Sequence, residues 1–154
     1  MNYPIRRLEM NEIDEALSLV WEVFLEFEAP DYPEEGIRTF KDAITQSTEF
    51  NNRIHSGDQI MFGAFHEARL IGVLSVSMRN HISLLFVHKE YHRKGVATAL
   101  FDKLVEDLKN KDVKKITLNA SRYGIPFYHK VGFEDLDVEQ IRDGIRYTPM
   151  EYLL

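Results

Sequence analysis

The chain has no cysteine. That excludes a disulfide framework, a thiolate zinc site and a thiol nucleophile, so any acyl group it moves passes directly between substrates or through another nucleophile. It has no apolar run near the ~20 residues that cross a bilayer. Its opening stretch, MNYPIRRLEM, lacks the apolar centre of a signal peptide. These absences lead us to expect a soluble, cytoplasmic protein with no membrane partner. Glycine and proline are sparse, eight and five in 154 residues, and there is no repeat, low-complexity tract or linker, so residues 1–154 read as a single domain. Basic residues are outnumbered, and the formal net charge of −6 argues against a nucleic-acid partner. Neither the GxxxxGK[ST] nucleotide loop nor the dinucleotide run GxGxxG is present.

What is present centres on His81 to Leu104, HISLLFVHKEYHRKGVATALFDKL. Ile82, Leu84, Leu85, Phe86 and Val87 form a near-continuous apolar run of strand length, which predicts a central strand covered on both faces. The polar segment from His88 to Lys94 cannot continue it. From Val96 onward, Val96, Leu100, Leu104, Val105 and Leu108 recur at helical spacing, so Gly95 stands at a helix entrance. Such an entrance offers backbone N–H groups without intrahelical partners and the positive end of the helix dipole, and it suits a phosphate. Gly95 and Ala97 permit close approach, Arg93 and Lys94 add charge, and Thr98 adds a hydroxyl.

Elsewhere, Ile5 to Leu8 reads as an edge strand and Asn11 as the cap of a helix reaching about Glu28, with Ile13, Leu17, Val20, Phe24 and Phe27 facing the core. Ala29-Pro-Asp-Tyr-Pro33 breaks that helix. A second helix is expected from Glu34 to Ser47, then a loop from Asn51 to Asp58. Ile60 to His66 and Leu70 to Ser77 read as a hairpin around Glu67-Ala68. Lys115 to Leu118 is a short strand, Gly124 to Val131 a short helix, and Asp143-Gly144 a hairpin turn between Val138 to Ile141 and Ile145 to Leu153. The pattern is a mixed α/β sheet.

Two blocks of this sequence resemble a known family. His92-Arg-Lys-Gly95-Val-Ala97, following a strand that ends in Leu85-Phe-Val87, is similar to the [Q/R]-x-x-G-x-[G/A] acetyl-coenzyme-A signature of the GNAT superfamily of N-acetyltransferases. His92 replaces the usual Gln or Arg, and Ala97 the commoner Gly. Asn119-Ala-Ser-Arg-Tyr-Gly-Ile-Pro-Phe-Tyr128-His-Lys-Val-Gly-Phe133 resembles the second block, in which an asparagine ends a strand and a helix carries FYxxxGF. The resemblance implies a GNAT fold, with a central sheet splayed around the coenzyme-A site and flanked by helices. It implies acetyl-CoA as cosubstrate, the backbone of Phe86 and Val87 against pantetheine, Asn119 and Phe127 on the far side, and phosphates at Arg93, Lys94, Gly95, Val96, Ala97 and Thr98.

Acetyl transfer to an amine needs the neutral amine, hydrogen-bond donors for charge on the carbonyl oxygen, and a proton for the departing thiolate. A lysine-like amine of pKa ~10.4 is under roughly 0.1% neutral at pH 7, so a base or a desolvating pocket helps. By resemblance Tyr128 is the acid and the Val87 N–H meets the oxygen. A phenol near ~10 protonating a thiolate whose acid is near ~8.5 is uphill by about 2 kcal/mol, which makes a strong hydrogen bond as useful as full transfer. His81, at the start of the central strand, is a candidate base, alongside Glu90 and the acids of the first loop. His88 and His92 are four apart in a non-helical segment without a third ligand, so no metal is expected. The resemblance implies that the region after the first helix shapes the acceptor site, and there Glu26, Glu28, Asp31, Tyr32, Glu34 and Glu35 supply acids and an aromatic that suit an ammonium group. The alternative reading is a fold that retains acyl-coenzyme-A binding as a sensor without turnover. The strand from Ile145 to Leu153 is of a kind that pairs across a homodimer.

Overall fold

A computed structural model describes residues 3–154, with Met1 and Asn2 outside the described residues. One sheet runs through the molecule. Its strands are β1 (Ile5–Arg7), β2 (Gln59–His66), β3 (Arg69–Ser77), β4 (His81–Val87), β5 (Lys115–Ala120), β6 (Glu134–Asp135), β7 (Gln140–Arg142) and β8 (Ile145–Leu153). The order is β1-β2-β3-β4-β5-β8-β6, with β7 paired to β8. All pairings are antiparallel except β4 with β5, the pair joined by a helical crossover.

The helices divide between the two faces. On one lie α1 (Ile13–Phe27), α2 (Glu34–Phe40), which widens into a π turn over Lys41–Thr45, and α3 (Thr48–Ser56). Their core takes in Val20, Phe24, Phe50, Leu84 and Phe86. On the other lie α4 (Val96–Lys109) and α5 (Ile125–Val131), whose core takes in Ile82, Val87, Leu100, Leu104 and Ile116. The helical spacing read from Val96 to Leu108 is this packing face, since Val96, Leu100, Leu104 and Leu108 are all buried.

Ile82 and Leu84 are two residues apart, yet they belong to opposite cores. Strand alternation forbids that unless a residue is inserted. The register supplies the insertion: Ser75 lies opposite Leu84 and Val76 opposite Ile82, which leaves Ser83 extra on β4. This bulge is held by a buried amide, for Gln59 Nε2 donates to Ser83 Oγ at 3.1 Å and to Ser75 Oγ at 2.7 Å. Pairing between β4 and β5 stops at the same level. Only His81 with Thr117 and Ile82 with Leu118 are matched, and beyond them the strands part. The bulge turns β4 away from its parallel neighbour, and the sheet is splayed.

Some expectations are corrected. Asn11 does not cap α1; it lies in a tight turn, Met10–Glu12, where the Glu12 carboxylate accepts the Glu9 N–H at 2.9 Å. The expected loop from Asn51 to Asp58 is mostly α3, because Ser47 Oγ accepts from the Phe50 N–H at 3.0 Å, Phe50 and Ile54 are buried on one face, and Gly57 ends the helix at φ 87°. The two-residue β6 was not foreseen. β8 is paired to β5 on one side and to β6 and β7 on the other, so it offers no open edge of the kind read as a dimer strand. Among the described residues no helix is long and apolar enough to cross a membrane.

Candidate active site

On the α4 side, Gly95 caps the helix at φ 82°, a left-handed conformation that glycine adopts without strain, and a β-carbon there would meet nothing within 4 Å. The space before the helix is therefore open. Ala99 makes the first intrahelical bond, donating to the Gly95 carbonyl at 3.0 Å, so the N–H groups of Val96, Ala97 and Thr98 have no helical partner. Arg93 and Lys94 are exposed beside them, as is Thr98. Val96 contributes only backbone, because its side chain is buried against Gly72 and the α4-side core. His92, in place of Gln or Arg, shares a 2.7 Å hydrogen bond through Nε2 with the Val87 carbonyl, and its ring packs 4.9 Å from Phe27.

The ladder fixes which backbone groups face the gap. Val87 lies opposite Gly72, and the His88 N–H donates to the Ile71 carbonyl at 2.8 Å, which makes Val87–Gly72 a pair without mutual hydrogen bonds. The N–H of Val87 therefore points away from β3 and toward the opening, and by the same alternation so does the backbone of Leu85. Phe86 instead shares its backbone bonds with Val73, while its side chain joins the α1-side core. Leu85 was not among the residues singled out from the sequence, because the direction of a backbone group is set by register.

On the α1 side the gap opens into a cavity of about 340 Å³. Asn119 and Ser121 from the end of β5, Glu28 from the end of α1 and Tyr128 from α5 line it. Tyr128 packs against the α4-side core yet reaches this cavity, so its side chain passes the splay. Burial pushes its phenol upward, and the nearby Glu28 carboxylate adds to that push. Every sealed side-chain polar atom among the described residues has a hydrogen-bond partner. The Tyr128 hydroxyl makes no such bond, and it opens onto the cavity. Phe127 sits beside it, the two rings 5.5 Å apart.

Glu28 is the most perturbed acid of the site. Desolvation raises its carboxyl to about 7, the Asp31 charge pushes the same way, and the nearby Ser121 hydroxyl only partly offsets them. His81 stands elsewhere. It lies at the paired end of β4, where Nδ1 and the Thr117 hydroxyl are hydrogen-bonded at 2.8 Å; burial lowers its pKa, and it does not line the cavity. Glu90 is exposed and pairs with Arg69 at 3.4 Å.

The outer wall comes from α2, its π turn and the β7–β8 hairpin. Phe40 stacks on Phe24 at 3.9 Å and faces Phe86 at 6.1 Å. The hairpin turn, Asp143-Gly144, lies backbone to backbone against Gly36, where a β-carbon on either glycine would strike the other residue. Thr39 Oγ1 donates to the Asp143 carbonyl at 2.6 Å and the Tyr32 hydroxyl to the Arg146 carbonyl at 3.2 Å. The Asp143-Gly144 turn is visible in the sequence, but its docking on α2 is not, since over a hundred residues separate the partners.

A splayed parallel pair with a helix-end anion cradle on one side and an acid-lined cavity on the other defines a class, and the family comparison agrees: residues 28–154 match the model of the acetyltransferase (GNAT) domain. The chain belongs to the GNAT acetyltransferase family. Among its relatives, the uncharacterized N-acetyltransferase YafP of Escherichia coli is 32% identical over 78 residues, 51% of this chain and 48% of that protein. The match to N-alpha-acetyltransferase 30 of Schizosaccharomyces pombe is 26% over 91 residues, 52% of this chain and 61% of that protein. The chain thus matches about half the length of these curated relatives. The PaiA N-acetyltransferase of Thermoplasma acidophilum, solved with coenzyme A, superposes over 100% of both chains with a TM-score of 0.81 and 25% identity. A GCN5-related N-acetyltransferase from Rhodopseudomonas palustris shares the fold at a TM-score of 0.86 and 22% identity, covering 100% of this chain and 97% of that one.

Proposed function

We propose that this protein is an N-acetyltransferase that passes an acetyl group from acetyl-CoA to the primary amine of an acceptor by direct attack. The observation that carries the reading is the meeting, at one gap in the sheet, of an open anion cradle and a cavity holding an acid of raised pKa and an uncommitted phenol.

The residues fit the cosubstrate. The free N–H groups of Val96, Ala97 and Thr98, with Arg93 and Lys94, suit its diphosphate, and the gap-facing backbone of Leu85 and Val87 suits the amide-bearing arm, bordered by Asn119 and Phe127. Bound there, acetyl-CoA supplies a thioester, an acyl group with a good leaving group. The chain's own groups do the rest. Glu28, ionised above about pH 7, accepts a proton from the acceptor's ammonium group directly or through water. Tyr128 holds a proton at its hydroxyl where the leaving group needs one. The Val87 N–H is a fixed donor for charge on the carbonyl oxygen. We assign the base role to Glu28 over His81 because Glu28 lines the cavity and His81 is bonded to Thr117 at the closed end of the strand.

Calorimetric titration tests the donor. Acetyl-CoA and desulfo-coenzyme A should bind at micromolar concentration and ATP should not. Gly95→Glu, which adds bulk and negative charge to the open cradle, should abolish that binding. Equal affinity in the variant, or no binding by the unaltered protein, would remove the cosubstrate from the reading.

A further inference from the structure

The cavity on the α1 side is most densely polar at one end. Glu28, Ser121, Asn119 and Tyr128 gather where the strands part. Away from that end the wall is built from Phe40, Ile44, Leu84, Phe86 and Ile145. Apart from the exposed Arg142 and Asp143, the polar side chains of this outer part are already committed within the protein. Tyr32 donates to the Arg146 carbonyl, Thr39 to the Asp143 carbonyl, and Tyr147 to Gln140 Oε1 at 3.3 Å. A ligand body resting there finds apolar surface and few free hydrogen-bonding groups.

Two acceptor classes fit this poorly. A peptide N-terminus brings a train of backbone N–H and C=O groups, each needing a partner once desolvated, and beyond the exposed Arg142 and Asp143 the wall offers none. A polyamine brings a second ammonium group. Beyond Glu28 the charged lining residues are Arg142 and Asp143, neighbours of opposite sign, which together give no net attraction for it.

We infer that the acceptor is a small monoamine whose single amino group is carried on an apolar aryl or alkyl body, the amine at Glu28 and the body against Phe40, Ile44 and Ile145. The inference rests on the acetyltransferase reading above and narrows it. The cavity volume, about 340 Å³, lies at the small end for small-molecule sites.

The test compares 2-phenylethylamine, hexylamine, spermidine and an alanine tetrapeptide amide as acceptors with saturating acetyl-CoA, following thiol release and product mass. The two apolar monoamines should exceed spermidine and the peptide in kcat/KM by at least about tenfold, as loss of matched apolar contact or stranding of polar groups would produce. Ala43→Phe, at an exposed position of the wall, should lower kcat/KM for 2-phenylethylamine by about tenfold relative to propylamine, with acetyl-CoA affinity unchanged. Preference for spermidine or the peptide overturns the inference and leaves acetyl transfer standing. Acetyl-CoA binding without turnover of either monoamine also overturns it. Failure to bind acetyl-CoA overturns the inference and the underlying reading together.

Discussion

At the scale of single residues, the proposed acetyl transfer rests mostly on Glu28 and Tyr128, whose surroundings suit them to opposite tasks. Burial keeps the Tyr128 phenol protonated, while Glu28, raised to about 7, changes charge in the working range. Tyr128→Phe should lower kcat by about 100-fold or more, within the usual range for a positioned acid, and leave acetyl-CoA affinity in calorimetry nearly intact; full activity would make the hydroxyl dispensable. For Glu28 the sign is fixed by the upward shift. The folded protein binds this proton more tightly than the unfolded chain, so the carboxyl favours folding at acidic pH, and that contribution is lost as pH rises from about 4.5 to about 7. Glu28→Gln should therefore gain stability relative to the unaltered protein between pH 5 and pH 8, by about 1–3 kcal/mol in chemical denaturation. It should also lose the inflection near pH 7 in the rate profile, which His81→Ala should retain. An inflection that disappears with His81 would transfer the base role to the imidazole.

At the scale of elements, the helix entrance at Gly95 was legible in the residues themselves, whereas the splay followed only from the family resemblance. Gly95 and the helical spacing beyond it declare a helix entrance, because capping and periodicity are local. The same is true of the Asp143-Gly144 turn. α3 escaped because its apolar signal is only Phe50 and Ile54 amid Asn51, Asn52, Arg53, His55 and Ser56, so it depends on the Ser47 cap and on packing more than on propensity. The gap, expected by resemblance, is invisible to the residue pattern for a stronger reason. Read as a run of apolar letters, β4 is an ordinary buried strand, and nothing in it says that Ser83 is an inserted residue. That fact lies in its register with β3 and in the amide of Gln59, more than twenty residues away. If the bulge sets the gap, Gln59→Leu should act at a distance. It removes the amide from which Ser75 Oγ and Ser83 Oγ both accept, which costs about 1–3 kcal/mol of stability, and acetyl-CoA affinity should weaken although Gln59 lines no part of the cradle. Unchanged affinity in a folded Gln59→Leu protein would mean that the gap is held by other contacts.

At the scale of the molecule, the site is assembled from parts that meet only when the chain is complete: α1 ends in the acid, α5 brings the phenol through the sheet, and the β7–β8 hairpin returns from near the C-terminus to close against α2. The last contact is the narrowest. Gly36 and Gly144 touch through their backbones, so even a methyl group on Gly36 must push the hairpin away. Gly36→Ala should destabilise the protein by about 1–3 kcal/mol. Because the hairpin walls the cavity proposed to take the amine and the cradle lies across the sheet, KM for the amine should rise severalfold with KM for acetyl-CoA unchanged. Loss of stability alone could blur this, and Gly57→Ala supplies the comparison. Gly57 ends α3 at φ 87° with nothing within 4 Å of a β-carbon, so alanine there adds backbone strain of about 1–2 kcal/mol without moving any neighbour. Matched for stability, the Gly57 variant should keep both KM values. If the two variants raise the amine KM equally, the hairpin–α2 contact supports the fold and has no separate part in holding the acceptor.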